Sequence, residues 1–279
     1  MNNRKITCEM LSVYKSHLLD EEKSQITIEK YIRDIDSFFK FANNKEITKT
    51  LTIKYKEHLV NAGYKPRSIN SMLAAINSFF DWLGWQDCKV KALKLQTQVY
   101  SCAEKELTKA EYIRLVNAAG NNTKLQLILQ TICATGIRVS ELAYFTVEAV
   151  KQGEISVSCK GKTRTILIPV KLKKLLLSYT KKAGIKTGTI FINSKGQSLS
   201  RSSIWAQMKA LCKKAGVQAS KVFPHNLRKL FARTFYTMEK DIAKLADILG
   251  HSSINTTRIY IITTGTEHRR KIERLGLIV

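Results

Sequence analysis

The chain has 279 residues and carries 47 Lys plus Arg against 22 Asp plus Glu, a formal charge of +25. That length admits one large or two ordinary domains, each with a real core, and two is the expectation. The positive excess goes far beyond what solubility asks for and points to a polyanion, nucleic acid first, because a basic surface gains affinity by releasing counterions from a phosphate backbone. Six cysteines are scattered with no C-x-x-C pair and no histidine at metal-ligand spacing, so they read as reduced, packed thiols, with no metal site expected. The N-terminus has no apolar leader-like core, and no apolar run approaches the ~18 residues of a membrane span, so no membrane partner is expected.

The first hundred residues read almost entirely as helices. Ile28, Tyr31, Ile32, Ile35, Phe38 and Phe39 fall at three- and four-residue steps, which predicts a helix over 28–41 with Thr27 as its cap. A second helix starts after Thr50 or Thr52 and stops at Asn61-Ala62-Gly63. Lys65-Pro66-Arg67-Ser68 is a turn into a third, striped by Ile69, Leu73, Ile76, Phe79, Phe80 and Leu83. Periodicity is then lost from about 86 to 106, a lysine-bearing stretch that includes Lys91 and Lys94 and reads as an extended linker able to cross a phosphate backbone.

Beyond it, Thr108 with Glu111 three residues on is a capping-box start. A helix over 124–135 is apolar on most sides and belongs at the centre of a second domain. It ends at Thr135-Gly136, and Arg138-Val-Ser-Glu141-Leu142 opens another helix. Alternating runs at 154–158 and 164–169, joined by Cys159-Lys160-Gly161-Lys162-Thr163, predict a β-hairpin, with Thr189-Ile-Phe-Ile192 a candidate third strand. Residues 171–179 are helical, and helices resume from Ser202 to the end.

Within this last stretch, His225 and Arg228 stand three apart in a helical pattern and so share a face. His251 follows a Leu-Gly pair, and Tyr260 stands nine residues beyond it. Proton carriers, a fixed cation and a latent nucleophile suit phosphate chemistry. Taken singly, each has a dull explanation: Arg138 with Glu141 is an ordinary intrahelical ion pair, and a lone tyrosine is usually filler. The ordered set T-G-I-R-V-S-E-L, a lysine-tipped hairpin, H-x-x-R, L-G-H and T-T-x-x-Y is harder to dismiss.

In that set the chain resembles the tyrosine site-specific recombinases, the phage-type integrases, over residue 107 to the tail and more weakly over the N-terminal bundle. The resemblance implies a mainly α fold with a small antiparallel β-sheet. It divides into a helical DNA-binding bundle over 1–85, a basic linker over 86–106 and an α/β catalytic domain with a C-terminal tail over 107–279. It assigns Arg138 and Arg228 as the clamp on the scissile phosphate, two guanidinium forks that match the charge developing on its non-bridging oxygens. Tyr260 would be the nucleophile that forms a 3′-phosphotyrosine link and stores the bond energy for rejoining. His225 would help to take the tyrosine proton, and His251 would donate to the phosphate. Lys160 on the hairpin would protonate the leaving 5′ oxygen, with Lys162 the alternative, and Glu141 would orient its neighbours. Lys65, Arg67, Lys91 and Lys94 are the candidate DNA contacts of the N-terminal half. Lys229-Leu230, directly after the H-x-x-R arginine, departs from the common pattern without removing a catalytic group.

No cofactor is implied, since arginines, a lysine and a histidine can replace the metal ion of other phosphoryl-transfer sites. The partners implied are double-stranded DNA with specific core sites and a homotetramer that exchanges strands through a Holliday junction. The tail, with Leu275, Leu277, Ile278 and Val279, would dock on a neighbouring subunit. Accessory DNA-bending proteins are further candidate partners. The expected place of action is the cytoplasm of a prokaryote, at the nucleoid. With the bundle starting so near Met1, no separate arm-binding domain is expected ahead of it. Integration or excision of a mobile element is the role expected, with Xer-like dimer resolution or an inversion switch as alternatives. A type IB topoisomerase-like enzyme and a catalytically idle DNA-binding regulator are the rival classes.

Overall fold

In a computed structural model, which describes residues 4–95, 103–159, 162–262 and 265–275, the chain falls into two compact units, 1–97 and 98–279. The first is helical: α1 (Cys8–Asp20), α2 (Gln25–Ala42), α3 (Lys49–Asn61) and α4 (Pro66–Trp82). Thr7, Ser24 and Thr48 cap the first three by accepting a hydrogen bond from a backbone N–H of the opening turn. The cap of α2 is therefore Ser24, three residues before the expected Thr27. Both hydroxyls were available, and Thr27 instead pairs its own with that of Ser24 at 2.8 Å. Pro66 is the first residue of α4, where a missing N–H costs nothing, so Arg67 lies in the helix and not in a turn. Ile28, Ile35, Phe38, Tyr55, Phe79 and Phe80 form the core of this unit.

Past a 3₁₀ turn at Gln86–Cys88 the chain leaves regular secondary structure, and over 89–93 it is bound to the bundle. The Asn77 amide donates to Val90 O at 2.9 Å and accepts from Val90 N at 3.2 Å. Asn70 does the same for Leu93, at 2.9 and 2.7 Å. Cys88 and Val90 are buried against the bundle.

The second unit contains α5 (Lys109–Ala118), α6 (Thr123–Thr135), α7 (Val147–Gln152), the strands β1 (Glu154–Cys159) and β2 (Lys162–Leu167), α8 (Val170–Lys182), α9 (Arg201–Ala210), α10 (Cys212–Ala215), α11 (Pro224–Glu239), α12 (Ile242–Leu249), α13 (Ile254–Ile261) and α14 (Gly265–Glu273). The expected capping box is present, with Glu111 N–H donating to Thr108 Oγ1 and Thr108 N–H to Glu111 Oε2. Residues Val139–Tyr144 form a 3₁₀ turn where an α-helix was expected. The strands pair antiparallel, with Ile155 opposite Ile166 and Val157 opposite Arg164. Residues 189–192 do not form a third strand: Thr189 and Ile192 make isolated bridges to Thr146 and Ser198, while Ile190 and Phe191 are buried. Their apolar pattern reflects burial and not a ladder.

Helix α6 lies at the centre, with Leu125, Leu127, Ile128, Leu129 and Ile132 buried, and α11 packs along it. Where α6 ends, Gly136 turns left-handed (φ 65°), and a Cβ there would lie 2.3 Å from the Phe231 ring of α11. Among the described residues no helix is long and apolar enough to cross a membrane.

Gly136→Ala is expected to cost about 2–4 kcal/mol, combining left-handed strain of ~1–2 kcal/mol with displacement of Phe231. Calorimetry should show the transition of the second unit falling by roughly 5–10 °C. Gly63→Ala, whose Cβ meets nothing within 4 Å, should lose only the strain.

Candidate active site

Pro224 opens α11 and fixes its first turn, which places His225 at the mouth of a cleft and Arg228 one turn deeper, between the buried Leu227 and Leu230. Arg228 is 1% exposed. Its Nη1 donates to Gly136 O and its Nη2 to Leu249 O, both at 2.6 Å, and Nη2 also meets His251 Nε2 at 3.0 Å. Burial, then repulsion from Arg138, pushes its guanidinium down to about 10, which leaves it charged at neutral pH.

Helix α12 ends at Gly250 in a left-handed cap, and its last carbonyls carry the negative end of the helix dipole. Three arginines take three consecutive carbonyls there. Arg164 Nη1 donates to Ile248 O, Arg228 Nη2 to Leu249 O and Arg138 Nη2 to Gly250 O at 3.3 Å. Glu141, 3% exposed, binds two of them. Its Oε1 accepts from Arg138 Nη1 at 3.0 Å, and its Oε2 accepts from Arg138 N–H at 2.7 Å and Arg164 Nη2 at 2.6 Å. Arg138 keeps the most open side chain of the three and faces the cleft.

The residue after this turn is His251. A guanidinium can only donate, so His251 Nε2 accepts from Arg228 and the ring proton sits on Nδ1, which donates to the buried Thr257 Oγ1 at 2.9 Å. Helix α13 then carries Tyr260, buried to 7% exposure, between the two histidine rings. The centroid distances are 5.0 Å to His225, edge-on at 72°, and 5.1 Å to His251. Desolvation, then the positive charges of Lys229, Arg228, Arg138 and Arg201, holds the His225 imidazole down at about 4. Desolvation, then Arg228, Arg138 and Arg164, does the same for His251, also about 4. His225 is exposed at the cleft mouth, so the surrounding cations carry weight there as well as burial. Both rings are neutral at pH 7.

Arg138, His225, Arg228 and Tyr260 thus line one cleft of about 830 Å³, with Glu141 bonded to Arg138 and His251 to Arg228 beside it. Lys160 lies outside the described residues, and of Lys162 only the backbone is described, paired with Cys159. Lys65, Arg67, Lys91 and Lys94 are exposed in the first unit. Sequence reasoning missed Arg164, one arginine in a basic strand, and the α9 wall of the cleft formed by Arg201, Trp205 and Lys209. The signal for that wall was four-residue spacing in a row next to the buried Ile204 and Met208. Trp205 is 49% exposed, with the Lys209 ammonium 5.5 Å from its ring centre. Among the described residues no group of three or more His, Cys, Asp or Glu could hold a metal ion.

A cationic cleft of this kind can hold a phosphodiester against a phenol flanked by two proton carriers. Residues 11–87 match the SAM-like N-terminal domain of phage integrases. Tyrosine recombinase XerA of Pyrococcus furiosus is 31% identical over 182 residues, 62% of this chain and 63% of that protein, so the chain spans about three fifths of the length of this relative. A λ integrase dimer bound to a COC′ core site superposes with a TM-score of 0.76 at 19% identity, covering 93% of this chain and 96% of that one. A λ integrase tetramer bound to a Holliday junction gives 0.75 at 19% identity, covering 92% and 78%. These two likenesses concern the fold. Residues 105–266 match the phage integrase family, and the chain belongs to that family of tyrosine recombinases.

Proposed function

We propose that this chain is a site-specific DNA recombinase that cuts and rejoins DNA through a 3′-phosphotyrosine intermediate. The observation that carries the reading is the seating of Tyr260 between His225 and His251 beside the guanidinium groups of Arg138 and Arg228. Three arginines and one carboxylate leave this cluster two positive charges in excess, with both histidines neutral. That excess complements a phosphodiester in the ground state and better still the pentacoordinate phosphorus, where a second negative charge develops.

In the proposed step the Tyr260 oxygen bonds to phosphorus, its proton passes to neutral His225, and the bond to the 5′ oxygen breaks. Lys160 of the hairpin supplies a proton to that leaving oxygen, with Lys162 the alternative. A phosphate oxygen that takes the Arg228 donor frees His251 Nε2. Thr257, whose hydroxyl can donate as well as accept, then allows the ring proton to move to Nε2 and bond the phosphate. Rejoining runs the same steps backwards with a 5′ hydroxyl from another strand, so the phosphodiester count is conserved without ATP.

The partners proposed are duplex DNA bearing core sites, touched in the first unit by Lys65, Arg67, Lys91 and Lys94, and a homotetramer held by the tail in trans. The λ integrase complexes on a core site and on a Holliday junction support this by their fold. The biological role proposed is integration or excision of a mobile element, with accessory DNA-bending proteins setting direction. Xer-like resolution of DNA dimers is the second reading, favoured by the likeness to XerA.

The test uses duplexes selected by this chain from a random-sequence library, rebuilt with a nick beside the selected site. Wild type should form a covalent protein–DNA adduct, and Tyr260→Phe should form none while binding the same DNA within about twofold. No wild-type adduct would leave a DNA-binding regulator, and adduct with plasmid relaxation but no exchange between two sites would leave a topoisomerase-like enzyme.

The histidine environment sets a pH dependence. The active form of His225 is neutral, and its proton affinity in the free chain is held down at about 4. Cleavage at subsaturating protein, which reports the free chain, should stay flat from pH 8 to pH 6 and fall only below about 5, well under the ordinary histidine value of ~6.5. His225→Gln should slow cleavage at neutral pH and remove that acid limb. An acid limb near 6.5 in the wild-type chain would rule out the neutral, cation-surrounded base.

A further inference from the structure

Arg164 is the one of the three clustered arginines to which the proposed chemistry gives no contact with the phosphate. It sits on β2, its side chain only 13% exposed. Its terminal nitrogens are spent inside the protein, Nη2 on Glu141 Oε2 at 2.6 Å and Nη1 on Ile248 O. Its stem lies across Gly250, where a Cβ would come within 2.5 Å of Arg164 Cδ and 2.8 Å of Nε. This explains the glycine of the L-G-H motif twice over: the backbone is left-handed there (φ 63°), and the arginine occupies the space a side chain would need.

Glu141 would otherwise be a buried carboxylate tied to Arg138 alone. With both oxygens shared between two arginines, it fixes the Arg138 backbone and guanidinium together. The same Arg164 fork reaches the carbonyl three residues before His251. One side chain therefore joins the hairpin, the turn that bears Arg138 and the turn that bears His251.

We infer that Arg164 is a positioning residue of the recombinase site, acting through Glu141 and the end of α12 to hold the Arg138 guanidinium on the scissile phosphate, with Gly250 as its obligate partner. It does not touch DNA. A fork is required: lysine keeps the charge beside Glu141 but cannot also bridge to Ile248 O in the same plane. This inference rests on the reading of the cleft as a recombinase site.

The experiment measures single-turnover cleavage of the selected nicked duplex by the full chain, with a normal phosphodiester and with a methylphosphonate at the scissile position. The methyl group removes the oxygen charge that Arg138 neutralises. Arg164→Lys and Arg164→Ala should bind both duplexes within about twofold of wild type and cleave the phosphodiester at least tenfold more slowly. The deficit should shrink to about threefold or less on the methylphosphonate, as it should for Arg138→Ala. Gly250→Ala should match Arg164→Ala, and the double variant should be no worse than either. Arg164→Lys keeps Glu141 paired, so it serves where Arg164→Ala folds poorly. Equal deficits on both substrates would show a merely structural arginine, weakened DNA binding would show a DNA contact, and cleavage at the wild-type rate would show no role. Each of these overturns the inference while wild-type adduct formation leaves the recombinase reading intact. Absence of adduct in the wild type removes both.

Discussion

The cleft depends on one convergence, that of three guanidinium groups on the last turn of α12. Ile248, Leu249 and Gly250 each present a carbonyl that the helix cannot satisfy for itself, and Arg164, Arg228 and Arg138 each take one. The chain arrives there from three directions: a strand, a helix buried against α6, and a loop behind a left-handed glycine. Helix-end carbonyls suit this task because they attract cations without neutralising them. A set of carboxylates would hold the arginines as firmly but would cancel the positive field of the cleft. Among the described residues Glu141 is the one carboxylate bonded to the cluster, and it binds the two arginines that do not go to full depth.

Holding cations this close together out of water is costly, and the cost is visible in the neighbours. The Arg228 guanidinium gives up its proton more readily than an arginine in water, and both histidines resist protonation. These displacements have one direction: Arg228, His225 and His251 are each biased toward the state with less positive charge. A bound phosphate reverses the bias. The cleft is therefore suited to an anion in the sense of electrostatic preorganisation, its dipoles and charges held in place by the fold.

Much of this was legible in the sequence. The H-x-x-R, L-G-H and T-T-x-x-Y elements and the arginine behind Thr135-Gly136 interrupt apolar periodicity with residues that cores rarely take, and the fold gathers them at one place. The capping box at Thr108 and the all-round apolar α6 were readable because their signals are local. Arg164 was not, because in an alternating strand of a very basic chain one arginine looks like another, and only the register against Val157 and the approach to Gly250 single it out. The third strand failed because a short apolar run reports burial and not hydrogen-bonded partners. The docked part of the linker left no trace for a different reason. Asn70 and Asn77 stand two helical turns apart, about 10.5 Å at 1.5 Å per residue. Val90 and Leu93 are about 10 Å apart along an extended chain. The match is between backbone repeats, gripped by amides, and carries no apolar pattern.

Under the proposed function, the hydrogen-bonding of His251 has a consequence for the proton inventory of binding a phosphodiester. In the free protein its Nε2 is an acceptor, and the single ring proton is committed to Thr257. Engaging a phosphate oxygen needs a proton on that face, reached either by shifting the tautomer within the pair or by drawing one from solvent. The first route leaves the association enthalpy the same in every buffer. The second makes it track the ionisation enthalpy of the buffer, because each binding event strips a proton from the medium. The hydroxyl of Thr257 would thus decide whether the proposed recombinase meets its DNA as a closed system or as a proton acceptor.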